Sequence, residues 1–185
     1  PLSLKFNHDP LTAEVLHDRL AIDTLIAEQA ALMNSRYADE RVLVLAVMTG
    51  ALVYAGQLLP QLRFELELDY VHATRYDGAR SGGDLQWLMR PRQALAGRTV
   101  LLLDDILDEG VTLYGIREWL LQEGAADVAI AVLVHKQKTS PQPCAPAFPA
   151  LGVPDRYVYG FGLDADGLWR NADGIFVAEG DSHGI

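Results

Sequence analysis

Residues 100–113 read VLLLDDILDEGVTL: an apolar run, the acid pair Asp104-Asp105, a second pair Asp108-Glu109, then Gly110 and a helical pattern. In open α/β sheets, ligands gather beyond the carboxyl ends of the strands. The first amides of a helix have no intrahelical partner and face outward, so a strand–loop–helix junction is a ready cradle for phosphate. Gly110 lets the backbone approach a ligand, and Thr112 adds a hydroxyl donor. Four carboxylates would repel a bare phosphate. They make sense if the ligand also carries vicinal hydroxyls for them to accept from, or a divalent cation for them to share. A phosphorylated sugar bound with a metal meets all of these demands. The competing reading is a solvated acidic loop; against it, the acids abut a buried strand rather than a polar face.

Such a junction needs a sheet and helices to hold it, and hydropathy periodicity predicts both. Asp9 is placed to cap a helix with Pro10 at its first position. Leu11, Val15, Leu16, Ile22, Leu25, Ile26 and Ala30 then recur at helical spacing, predicting one long helix that ends near Asn34-Ser35. Residues 41–48 predict a buried strand that stops at Thr49-Gly50, and residues 51–62 a helix. Residues 64–72 alternate apolar with acidic and predict a strand. A loop is expected over 76–84, which holds Gly78, Gly82 and Gly83, and a short strand over 85–89.

The run at 99–103 is of the kind found in parallel sheets buried on both faces. Residues 112–123 predict a helix stopped by Gly124, and residues 128–134 another buried strand. Five prolines within 138–154 predict an irregular excursion. Residues 157–161 and 174–178 predict two further short strands. Strands alternating with helices give an α/β fold with a central, mostly parallel sheet flanked by helices.

A chain of 185 residues is one domain's worth. Fifteen Lys and Arg against twenty-five Asp and Glu leave a net charge of −10, a field that repels nucleic acid. No run is long and apolar enough to span a membrane, and the first residues carry no secretory h-region. A lone cysteine, Cys144, excludes an internal disulfide and a Cys-cluster zinc site. A cytoplasmic protein is expected.

The acidic junction resembles the phosphoribosyl pyrophosphate signature of the type I phosphoribosyltransferases. Over about residues 42–177 the chain is similar to the hypoxanthine-guanine phosphoribosyltransferases, with four motifs in matching order. The resemblance implies the type I phosphoribosyltransferase fold in a single domain over residues 1–185. Its core would span about 36–140, and a small hood over the base site would form from the N-terminal segment and about 141–185.

It also implies purine salvage: transfer of the 5-phosphoribosyl group to hypoxanthine or guanine, with Mg²⁺, in a dimer or tetramer. Asp104 and Asp105 fall on the acids that bind the ribose hydroxyls, and Asp108 on the general acid or base that faces purine N7. Glu109, Gly110, Val111 and Thr112 fall in the 5′-phosphate loop. Lys136 matches the lysine that donates to the 6-oxo group. Tyr157 matches the aromatic residue that stacks on the base, and Val158 offers backbone groups to its edge. Asp164, with Asp104 and Asp105, matches the magnesium-linked acids, and Arg170 the arginine near pyrophosphate. Thr49-Gly50 stands on the pyrophosphate loop, and Arg75-Tyr76 on a loop that closes over the site.

Several of these roles are physically sensible by themselves. An ammonium donates to a carbonyl but cannot accept from an amino group, so Lys136 would favour 6-oxopurines over adenine. The competing reading of Lys136 is a buried lysine paired with an acid. Two positions depart from the family pattern: Thr49 replaces a common lysine, and Glu109 replaces a common threonine. Gly160-Phe161-Gly162-Leu163-Asp164-Ala165 fits a dinucleotide motif, but the chain after it is too short for the crossover helix and second strand. His8, His17, His72, His135 and His183 lack metal-ligand spacing, and most of them read as surface or loop residues. Two alternatives stay open: a transferase preferring xanthine or another base, and a regulator of the same fold that binds phosphoribosyl pyrophosphate.

Overall fold

The structure, a computed structural model, describes residue 10 and residues 12–75 and 85–178. In chain order its elements are β1 (Val15–Asp18), α1 (Arg19–Arg36), β2 (Arg41–Val47), α2 (Ala51–Leu58), β3 (Glu65–Arg75), β4 (Leu85–Met89), β5 (Thr99–Leu107), α3 (Val111–Gln122), β6 (Asp127–Gln137), β7 (Phe148–Pro154), β8 (Val158–Tyr159) and β9 (Gly174–Val177). Six strands form one sheet in the order β4-β3-β2-β5-β6-β7, all parallel except β4, which runs antiparallel to β3. The remaining three, β1-β9-β8, form a small antiparallel sheet. The expected α/β architecture is borne out.

Alternation along the central strands sets the layers. Val42 and Val44 of β2, with Leu101 and Leu103 of β5, pack under Ile22 and Ile26 of α1 and Tyr54 and Leu58 of α2. Their neighbours Leu43, Leu45, Val100 and Leu102 face the other way, against Leu113, Ile116 and Leu120 of α3. Burying each such side chain stabilises the fold by about 1.5–3 kcal/mol. One polar device sits in the first layer. Buried Gln29 donates to Val132 O at 3.0 Å and Phe148 O at 2.7 Å, and accepts from Tyr54 Oη at 2.6 Å. Each partner satisfies a group that would be costly to bury alone.

Four expectations are corrected. The first helix begins at Arg19, not at Pro10: Asp18 caps it, accepting from Ala21 N at 2.8 Å. Val15 belongs instead to β1, which pairs with Phe176 and its neighbours in β9. Secondly, β5 does not stop before the acids but runs through Asp104 and Asp105 to Leu107, because β6 continues alongside it as far as His135. Thirdly, β6 extends to Gln137, so Lys136 stands on a strand. Finally, the proline-rich segment contains β7, which prolines permit because it is an edge strand. Asp9, Tyr76 and the loop expected over 76–84 lie outside the described residues.

Candidate active site

The carboxyl ends of β2, β3 and β5 open into a cavity of about 380 Å³. Its walls carry Thr49, Gly50, Asp104, Asp105, Asp108, Glu109, Gly110, Val111, Thr112, Asp164 and Arg170. A recess of about 110 Å³ opens beside it, lined by Asp105, Ile106, Asp108, Lys136, Tyr157, Val158, Leu163 and Asp164. The two share Asp105, Ile106, Asp108 and Asp164 as a common wall.

Three chain segments meet at Asp105 with no room for a side chain between them. A Cβ on Gly50 would stand 2.2 Å from Asp105 Oδ2, and one on Gly162 2.5 Å from Gly50 O. Gly162 also has φ +108°, a conformation that favours glycine. Arg170 fastens the same joint. It donates to Gly162 O at 2.6 Å, pairs with Asp164 at 2.5 Å and lies 3.7 Å from Asp105 Oδ2. Gly167 N donates to the other Asp164 oxygen at 2.7 Å.

Asp104 and Asp105 are adjacent acids at a partly dry strand end. The Asp105 amide donates to Asp104 Oδ1 at 2.9 Å, and the Ile106 amide to Asp105 Oδ1 at 2.8 Å. Burial, reinforced by the neighbouring Asp105 carboxylate, holds Asp104 well above the usual carboxylate range. Burial also raises Asp105, against the pull of Arg170. A group that neutralises them would relieve this repulsion.

Past Leu107 the chain turns into α3 through Gly110, whose φ of +76° suits a glycine at the helix start. Gly110, Val111 and Thr112, at the start of α3, line the cavity, and the first amides of a helix have no intrahelical partner. Asp108 sits between two ammonium groups: Lys136 Nζ donates to its Oδ2 at 2.7 Å, and Lys138 Nζ lies 2.8 Å from its Oδ1. Burial pushes Asp108 up, but the two lysines outweigh it and hold the carboxyl below its ordinary range. Lys138 also pairs with Glu109 at 3.2 Å, and the hydrogen bond to Asp108 raises the lysine's own proton affinity. From behind, Gln142 Nε2 donates to Asp108 O and to Lys136 O, at 2.5 and 3.1 Å.

The site residues expected from the sequence thus gather around the two cavities, with two exceptions. The Arg75 side chain and Tyr76 lie outside the described residues. Lys136 is a buried lysine paired with an acid, and Tyr157 is 44% exposed at the mouth of the recess. Among the described residues no three metal-ligating side chains converge. Sequence reasoning missed Lys138, which two-residue spacing from Lys136 on a strand could have signalled. It also missed His72 and Thr74, which line the larger cavity from the end of β3.

Residues 12–161 match the phosphoribosyl transferase domain family. The chain is 31% identical to a hypoxanthine-guanine-xanthine phosphoribosyltransferase of Tritrichomonas foetus over 158 residues, covering 85% of this chain and 86% of that one. It is 28% identical over 169 residues to the hypoxanthine-guanine phosphoribosyltransferase of Lactococcus lactis, covering 91% and 92%. A hypoxanthine phosphoribosyltransferase structure from Staphylococcus aureus superposes with a TM-score of 0.85 at 24% identity, covering 90% of this chain and 91% of that one.

Proposed function

The chain belongs to the phosphoribosyl transferase family, and on that premise we propose that it transfers the 5-phosphoribosyl group from phosphoribosyl pyrophosphate to hypoxanthine or guanine. The products are the nucleoside monophosphate and pyrophosphate. One observation carries this reading: a cavity ending in a helix N-terminus and a recess walled by Lys136 and Tyr157 share Asp108 between them. That arrangement suits a sugar phosphate on one side, a planar base on the other, and the reacting atoms at the wall.

In the reaction the bond from ribose C1 to pyrophosphate breaks, positive charge develops on the ring, and purine N9 takes the vacated position. The α3 amides and Thr112 hold the 5′-phosphate. Asp104 and Asp105 accept hydrogen bonds from the ribose hydroxyls, and their charge stabilises the cationic ring. Asp108 takes the proton leaving N7 as the base bonds through N9. Lys136 donates to the 6-oxo group, Tyr157 stacks on the ring, and the Val158 backbone meets the base edge.

Asp104, Asp105 and Asp164 do not converge into a three-carboxylate cage, and this fits Mg²⁺, which would take one or two of these carboxylates and complete its shell with substrate oxygens. When bound there it neutralises charge on the departing pyrophosphate.

The direct test is pyrophosphate release with phosphoribosyl pyrophosphate and each of hypoxanthine, guanine, xanthine and adenine. Xanthine is included because the Tritrichomonas foetus relative's name includes it. Hypoxanthine or guanine should be turned over far faster than adenine. Comparable turnover of adenine would refute the role given to Lys136.

A further inference from the structure

We propose that Lys138 is a positioning residue: it holds the Glu109 carboxylate away from the phosphate cradle and leaves Lys136 free to serve the base. The base half of this proposal rests on the function proposed above; the phosphate half does not.

Lys138 follows β6 directly, two residues beyond Lys136, so both lysines reach the Asp108 loop from the same side. Its ammonium meets three acids: Asp108 at 2.8 Å, Glu109 at 3.2 Å and Asp155 at 3.5 Å. Lys136 reaches Asp108 at 2.7 Å and Asp155 at 3.9 Å. The Lys138 side chain is nearly closed to solvent at 14% exposure, so few water molecules could replace its charge. Two cations thus serve three anions, and removing either leaves the cluster short by two charges.

Glu109 is the member that needs restraint. It lies beside Gly110 at the phosphate end of the larger cavity, where a carboxylate opposes an anionic ligand. Lys138 is not part of that cavity's lining, so its ion pair draws Glu109 toward β6 while the loop's backbone stays in the cradle. Lys136 has the opposite need. To donate to a base it must not be held wholly by the acids. With Lys138 present, Asp108 and Asp155 have a second cation. Without it, Lys136 is the only ammonium within ion-pair distance of Asp108 among the described residues.

The test is a cycle of Lys138→Met, Glu109→Gln and the double variant, with Lys138→Arg as the charge-retaining control. Lys138→Met should raise KM for phosphoribosyl pyrophosphate at least tenfold and KM for the purine at least fivefold, with a smaller change in kcat that follows the loss of one cation from Asp108. Glu109→Gln alone should not raise KM for phosphoribosyl pyrophosphate, because it removes the carboxylate that opposes the ligand; a rise would show that Glu109 binds the ligand and would overturn the restraint. In the double variant KM for phosphoribosyl pyrophosphate should return to within threefold of the parent, while KM for the purine stays high. Lys138→Arg should restore both.

Unchanged KM values in Lys138→Met would overturn the proposal, as would a double variant no better than Lys138→Met toward phosphoribosyl pyrophosphate. If Lys138→Met does not fold, Lys138→Gln makes the same comparison with a neutral donor in place. Calorimetric binding of ribose 5-phosphate separates the two readings. A tenfold loss in Lys138→Met, recovered in the double variant, supports the Glu109 restraint even if no purine is turned over. An unchanged affinity refutes that restraint even if the parent is a fully active transferase.

Discussion

Asp104 and Asp108 stand four residues apart in one junction, yet their surroundings act on them in opposite directions. Asp104 lies at a partly buried strand end beside another acid, and its proton affinity is raised. Asp108 lies in the following loop between two lysines, and its proton affinity is lowered. The loop thus carries its own counterions, whereas the strand end leaves its charge for a ligand to compensate. Acids that look alike in a string of letters are therefore suited to different work. The strand-end pair is fit to receive hydroxyls or a cation, and the loop acid is kept ionised, so that a ligand N–H meets an acceptor.

The largest expected effect tests the loop side. Asp108→Asn should lower kcat by roughly 10²–10⁴-fold, the range for a positioned proton-transfer group. Binding of phosphoribosyl pyrophosphate should change far less. Calorimetry showing no binding to this variant would make Asp108 a sugar ligand and erase the contrast with Asp104.

Next in size is Lys136→Ala. It removes a charged hydrogen bond worth roughly 1.5–3 kcal/mol, or about 10–150-fold in kcat/KM for the 6-oxopurine. An effect under threefold would reduce Lys136 to a partner of Asp108 and nothing more.

The smallest effect tests the strand end through stability. A carboxyl whose proton affinity is raised by folding favours the folded state at low pH. That contribution is lost as pH rises through the raised value. Asp104→Asn should therefore unfold at a higher temperature than the parent at pH 7, by roughly 2–4 °C per kcal/mol of relieved repulsion. The gap should narrow toward pH 4. Differential scanning calorimetry without added metal or substrate reads this directly. A variant less stable than the parent at pH 7 would show that the strand-end charge is already compensated.

The acidic junction was legible because a long apolar run leaves little choice of element, and the residues after it carry the chemistry. The small antiparallel sheet was harder. Val15 and Leu16 fit a helical stripe, and only pairing with β9, more than 150 residues away, turns this segment into a strand. Prolines hid β7, since the edge position that tolerates them is a tertiary fact. Asp164 and Arg170 lie in a stretch of turns where Phe161, Asp166 and Trp169 have positive φ, so no periodicity marks them. They were found through resemblance alone. Lys138 was missed because its importance depends on Asp108 and Glu109 lying nearby, some 30 residues earlier in the chain.

The contact of Gly50, Asp105 and Gly162 bears on how the molecule comes apart. Gly50 and Asp105 belong to the large sheet and its crossover helix, whereas Gly162 follows the small sheet's β8. The floor of the site is therefore a seam between two layers, complete only while they are docked. Local opening of the small sheet and loss of the ligand's footing become a single event, and a ligand seated there works as a rivet. Its binding free energy should slow exchange of the amides in β8 and β9 as well as those of the loop that it touches.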